Sequence, residues 1–282
     1  MAGKFARSMA LVKASAAILR SDKELLVFPL VSAIAVLLVI ATFTVPLFAT
    51  GMYLHIDRGD PMRPALYLWA FLFYFVQYTV IFFFNSALVG ATMIRLDGGH
   101  PTVADGMRIA RSKLIPIIGY AAIAATVGVV LRAIQERSGL IGQFVISLIG
   151  IAWTLATSMV VPVLVSKNVG PVEAIKESAQ LLKRTWGENL IGNGGVGVFF
   201  GMITVSVMLV GMIVTVACAT NAAMPLVVLF GSLTVLAVIG ISLIHSAIAG
   251  IYSAALYRYA TDGKAPAGFD GRALREAFRI KA

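Results

Sequence analysis

"NLIGNGGVGVFFGMITVSVMLVGMIVTVACATNAAMPLVVLFGSLTVLAVIGISLIHSAIAGIYSAALY", residues Asn189 to Tyr257, contains no Asp, Glu, Lys or Arg. As a single helix it would be on the order of 100 Å long at about 1.5 Å per residue, against a hydrocarbon core of roughly 30 Å. The run therefore holds two membrane-spanning helices. The turn between them falls near "CATNAAMP" (Cys218–Pro225), where small and polar residues gather. Backbone N–H and C=O groups find no water in the bilayer, so only helices and closed barrels span it. A continuous apolar run lacks the alternation of a barrel strand, which leaves helices.

The rest of the chain follows suit. Of its 282 residues, 59% are hydrophobic and 13% charged, and the mean hydropathy is +0.91; soluble domains carry about 25% charged residues. Charge-free runs predict six spans, near residues 25–54, 64–94, 114–131, 140–166, 190–217 and 226–257. The expected fold is all-α: one polytopic membrane domain over residues 1–282. The single cysteine, Cys218, supports neither a disulfide nor a cysteine-rich metal site. The N-terminus is basic and precedes a run too long for a signal-peptide core, so the first span is expected to act as an uncleaved signal anchor.

The net charge of +10 reflects topology rather than nucleic-acid binding. Nineteen of the 23 Lys and Arg residues fall in the N-terminal segment, the 2–3 and 4–5 connections and the C-terminal segment. Only Arg58, Arg63, Arg132 and Arg137 lie on the other side. The excess of basic residues marks the cytoplasmic face, so both termini are expected there.

Those basic segments are themselves patterned. Phe5, Met9, Val12, Ala16 and Leu19 recur at helical spacing. In "GPVEAIKESAQLLKRTW" (Gly170–Trp186), Val172, Ile175, Leu182 and Trp186 share a face apart from Glu173, Lys176, Glu177, Lys183 and Arg184. "TVADGMRIARSKL" and "FDGRALREAFRIK" (Phe269–Lys281) behave alike. Such helices either lie in the headgroup boundary with their bases near anionic lipid or cap the bundle. "SDKE" (Ser21–Glu24) and "TVAD" (Thr102–Asp105) read as capping boxes, Pro171 as a first helical residue, and Pro29 as a bend or restart of span one.

Spans two, four and six end alike: "NSALVGATMIRLDGGHP" (Asn85–Pro101), "TSMVVPVLVSKNVGP" (Thr157–Pro171) and "HSAIAGIYSAALYRYATDGKAP" (His245–Pro266). Each starts with a polar residue and a serine, leaves the membrane through basic residues and reaches a proline. The implied unit, an amphipathic helix plus two spans, occurs three times as a parallel repeat, unlike the inverted repeats of many transporters. It aligns Asn85–Ser86, Thr157–Ser158 and His245–Ser246 as polar rungs. Two roles are open to them, helix-to-helix hydrogen bonding and the lining of a shared polar cavity.

Catalytic and cofactor signals are weak. "GNGGVG" (Gly192–Gly197) matches G-x-G-x-x-G, but no strand precedes it, so it reads as a flexible lead-in to span five. His55, His100 and His245 lie in separate segments without metal-ligand spacing. No Asp or Glu lies within a span, whereas ion-coupled transport usually uses such groups. The aromatic "YLWAFLFYFVQYTVIFFFN" (Tyr67–Asn85) reads as a lipid-facing surface. No catalytic, cofactor-binding or metal-ligating residue is expected, and no cofactor.

"FARSMALVKASAAILRSDKELLVFPLVSA" adds a resemblance. It is similar to a family of bacterial multi-pass inner-membrane proteins of unknown function whose members pair a basic N-terminal helix with D-K-E-L-L-x-F-P, and Phe5–Ser32 carries the likeness. The plan also resembles, more distantly, the membrane domain joined to some bacterial glycerophosphodiester phosphodiesterases. This sequence has no carboxylate and histidine cluster for that activity. The resemblance implies a bacterial inner-membrane location and no active-site residues. The leading expectation is a non-catalytic protein that organises anionic lipid or a membrane-protein partner through its basic helices. The alternatives are a carrier or channel for a lipid-like or small neutral solute and, last, an intramembrane enzyme.

Overall fold

A computed structural model describes residues 13–49, 64–184, 186–220 and 224–262. Among them every regular element is helical: α1 (13–21), a 3-10 turn Lys23–Leu26, α2 Val27–Ala49, α3 Pro64–Leu96, α4 Val103–Ser112, α5 Leu114–Glu136, α6 Leu140–Ala156, α7 Val160–Ser166, α8 Pro171–Arg184, α9 Trp186–Thr220 and α10 Met224–Asp262. Six helical stretches are long and apolar enough to cross a membrane: α2 with its leading turn, α3, α5, α6 with α7, α9 and α10. The protein is an all-α polytopic membrane protein. The expected helix over Phe269–Lys281, and Phe5, Met9 and Val12 of the first amphipathic segment, lie outside the described residues.

The chain divides into two compact units, Val27–Arg184 and the pair Met1–Leu26 with Thr185–Ala282. In the second, α9 and α10 form an antiparallel hairpin. The helices approach closely at Gly211, where an added Cβ would run into the Thr234 side chain. The 3-10 turn packs on α10. Ser21 closes α1 by donating from its hydroxyl to the Ile18 carbonyl at 2.8 Å. The 3-10 segment then gives way to α2 at Val27, two residues before Pro29. The Gly192–Gly197 stretch is helical within α9 rather than a flexible lead-in. In a bilayer even a glycine run keeps its backbone bonded by staying helical.

In the unit Val27–Arg184, α3 is the central helix, with α2, α4, α5 and α7 packed on it. The turn out of α3 uses Gly98 at φ +86°, a left-handed conformation that glycine adopts without a Cβ clash. The Gly99 N–H returns to the Ile94 carbonyl at 3.0 Å. Thr102 then caps α4: its hydroxyl accepts from the Asp105 N–H at 3.2 Å, and its own N–H donates to the Asp105 carboxylate at 3.1 Å.

α4 packs one face against the spans. Gly106 and Ala110 are buried, and a Cβ on Gly106 would stand 2.5 Å from Phe28 and 2.7 Å from the Ala87 carbonyl. α8 does the same with Ala174 and Ser178. Both pairs fall three and seven residues after the first residue of their helix. The face read from the sequence, Val172 with Ile175 and Leu182, is therefore only partly the inner one. Ala174, Ser178, Leu181 and Leu182 are buried, while Val172 is exposed. Small side chains let the helix axis come close, which counts for more here than hydrophobicity. Trp186 starts α9 instead of ending this helix.

Two span boundaries also differ. Span three continues past Leu131 to Glu136, because long charged side chains at a helix end reach out to the interface while the backbone stays helical. Span four is not one helix. α6 stops at Ala156 and α7 begins at Val160. Pro162 cannot donate to the carbonyl four residues back, at Ser158, and its ring crowds that position.

Candidate functional site

Ser178 fills the gap that this break opens. Its hydroxyl donates to the Ala156 carbonyl at 2.6 Å and accepts from the Met159 N–H at 3.1 Å. One buried side chain on α8 thus satisfies the last carbonyl of α6 and the N–H just before α7. Broken backbone at membrane depth is tolerated only where such partners or a cavity meet it.

A chain of rings leads away from the break. Tyr74, Tyr78 and Phe82 recur every fourth residue and so lie on one face of α3. Their ring centroids are 5.9 Å (Tyr74–Tyr78) and 5.7 Å (Tyr78–Phe82) apart. Phe82 stacks at 4.4 Å on Tyr120 of α5, whose hydroxyl lies beside Thr157 in the break. Thr157 in turn donates to the Trp153 carbonyl at 2.8 Å. Opposite Tyr78, α5 presents Gly128, where an added Cβ would stand 3.7 Å from the tyrosine hydroxyl.

At the far end of this ladder, Arg132 and Glu136 sit one turn apart at the end of α5. Arg132 Nε donates to Glu136 Oε1 at 3.1 Å, and Nη1 donates to the Tyr74 hydroxyl at 3.1 Å. A polar cleft of about 470 Å³ opens there, lined by Tyr74, Tyr78, Arg132, Gln135, Glu136 and Gln143. Beside it an apolar groove of about 240 Å³ is walled by Phe43, Leu47, Trp69 and Phe73. Phe43 meets Trp69 at 5.2 Å, tilted, and Phe73 at 5.6 Å, edge to face. Tyr74, Arg132 and Glu136 line both spaces. The arrangement can hold a polar group against a charge pair while an attached apolar group lies on aromatic rings. Among the described residues no three His, Cys, Asp or Glu side chains gather to hold a metal ion.

A family model described as a family of unknown function (DUF6159) matches residues 64–269. The chain belongs to this family. The match spans the ladder, the cleft, the broken span and His245, and it begins downstream of Phe5–Ser32. No curated protein matches the chain.

The six residues singled out from the sequence divide between the two units. Asn85, Ser86, Thr157 and Ser158 lie in Val27–Arg184; His245 and Ser246 lie in the other. Asn85 is half-buried. Ser86 is fully buried with no hydrogen-bond partner for its hydroxyl among the described residues. Thr157 and Ser158 mark the break itself. His245 stacks on Phe200 of α9 at 5.0 Å and 21°, while Ser246 is exposed. Sequence reasoning missed Tyr74, Tyr78, Tyr120, Arg132, Glu136 and Ser178. The four-residue spacing of Tyr74 and Tyr78, inside a stretch read as lipid-facing, was the available signal for the ladder.

Proposed function

We propose that this protein is a non-catalytic carrier for a lipid-like amphiphile, bound at the joined cleft and groove of α2, α3 and α5. One observation carries the reading: a polar cleft and an apolar aromatic groove share Tyr74, Arg132 and Glu136. A head group and a chain on one molecule match that pairing. The test is translocation of a fluorescent lipid across reconstituted vesicles. Trp69→Ala and Tyr78→Ala are expected to slow it; equal rates in wild type and both variants would overturn the reading.

The organising role expected from the basic helices becomes the second reading. α4 and α8 commit small residues to the spans, but Arg108, Arg111, Lys176 and Lys183 remain exposed and suit anionic headgroups. Lipid retained on the detergent-extracted protein discriminates: enrichment in anionic species that is lost on neutralising these four supports the role.

The matching small pairs Gly106/Ala110 and Ala174/Ser178 support the inferred parallel repeat. The distribution of Lys and Arg supports cytoplasmic placement of both termini, and the resemblance carried by Phe5–Ser32 supports a bacterial inner-membrane location. Reporter fusions at each terminus test that orientation, and an external signal from either would refute it.

A further inference from the structure

We propose that the cleft selects a phospholipid whose head group carries both a phosphodiester and a primary ammonium; this rests on the amphiphile reading above. The argument starts from Arg132. A guanidinium has five N–H donors, and the bonds to Glu136 and Tyr74 engage only Nε and Nη1. Nη2 makes no hydrogen bond among the described residues, so its two donors are open to a phosphate in the planar geometry that suits arginine. Glu136 binds Arg132 through Oε1 alone, which leaves Oε2 to accept from an ammonium.

Both side chains lie in the last turns of α5 without being sealed in, 63% and 43% exposed. A lone arginine would attract any anionic lipid. The pair carries no net charge, so a purely anionic head group gains at Arg132 and is repelled at Glu136. A head group without charge gains at neither. A zwitterion satisfies both, and a primary ammonium has the N–H groups that a quaternary one lacks. Gln135 and Gln143 line the same cleft and offer amide groups. The chain side follows from the walls of the groove. Phe43, Trp69 and Phe73 present apolar ring surfaces, and exposed Val45, Phe48 and Leu68 on the same two helices, α2 and α3, continue the apolar surface towards the bilayer.

The experiment measures binding of phosphatidylethanolamine, phosphatidylglycerol and diacylglycerol to the full chain in nanodiscs by native mass spectrometry. Wild type is expected to bind the ethanolamine lipid about tenfold more tightly than either of the others, the ratio that one well-formed polar contact supplies. Glu136→Gln is expected to reverse the order of the two phospholipids. Arg132→Gln is expected to weaken both about tenfold and leave diacylglycerol unchanged, with Arg132→Lys intermediate. Thermal melting verifies folding of each variant. Equal binding of all three lipids, reduced by Trp69→Ala, would overturn the head-group inference while leaving the amphiphile reading intact. A glycerol lipid bound at least as tightly as the ethanolamine lipid would also overturn the inference. Binding of no lipid above background, insensitive to Trp69→Ala, would overturn both.

Discussion

Ser178→Ala removes a single hydroxyl from a site with no solvent exposure. What it leaves behind is an unpaired Ala156 carbonyl and an unpaired Met159 N–H, now held at 2.6 and 3.1 Å by Ser178. In a protein interior each such orphan costs about 1–3 kcal/mol. Hydrogen bonds between membrane helices measure lower, about 0.6 kcal/mol on average and 1.7 at most, because an unfolded chain in lipid also finds partners. With two groups orphaned and no strain added by alanine, the two scales bracket an expected loss of about 1–6 kcal/mol. Equilibrium unfolding in mixed micelles measures it. Pro162→Ala supplies the internal control. It restores an N–H able to continue the helix through 157–159, which would give the same backbone groups intrahelical partners. The double variant should then lose less than the sum of the two singles. A Ser178→Ala stability within about 0.3 kcal/mol of wild type, or strictly additive singles, would refute the claim that this hydroxyl holds the break.

Gly106→Ala should destabilise by about 1–3 kcal/mol despite the better helix propensity of alanine, because the new methyl meets the Ala87 carbonyl as well as a movable ring; thermal unfolding reads this directly. His245→Phe should leave stability within about 0.5 kcal/mol of wild type by preserving the stack on Phe200. His245→Ala should lose about 1–3 kcal/mol, and equal losses in both would mean that the imidazole does more than pack. The Thr102 hydroxyl and backbone N–H hold the Asp105 carboxyl below its ordinary value. A carboxyl lowered on folding stabilises above its unfolded value, near pH 4, and loses that contribution as pH falls through the lower folded value. Melting temperature followed between about pH 2 and 6 should therefore show an acid limb in wild type that is shallower in Asp105→Asn; parallel curves would count against the capping box as its source.

Hydropathy made the spans legible because lipid demands long apolar helices, and no alternative packing satisfies Asn189–Tyr257. The same rule hid two features. Reading a span as a charge-free run stopped the third at Leu131, one residue short of the arginine that lines the cleft. The break in the fourth is polar only at Thr157 and Ser158, and Pro162 stands in an otherwise apolar run. Which face a short basic helix buries depends on clearance, so Ala174 and Ser178 beat Val172 in a way that hydrophobicity could not foretell. The polar rungs do not converge: Ser86 is buried without a hydrogen-bond partner among the described residues, Thr157 bonds back to Trp153, and His245 packs on Phe200. Sequence spacing carries no trace of the Phe82–Tyr120 stack or the Phe200–His245 stack.

The division of the chain has a consequence for how the protein is made. Val27–Arg184 is contiguous, so every helix of that unit has been synthesised before α9 begins. The other unit is assembled from both sides of it: residues 13–26 are synthesised before that core, yet the helix on which their 3-10 turn packs, α10, follows it and is the last of the described helices. During insertion that early segment must wait for nearly the whole chain with Leu25, later fully buried, still unpartnered by α10. Ribosome-stalled intermediates ending before Met224 should therefore hold a protease-resistant Val27–Arg184 core and a cleavable leading segment, a staging order written into the topology rather than into any single side chain.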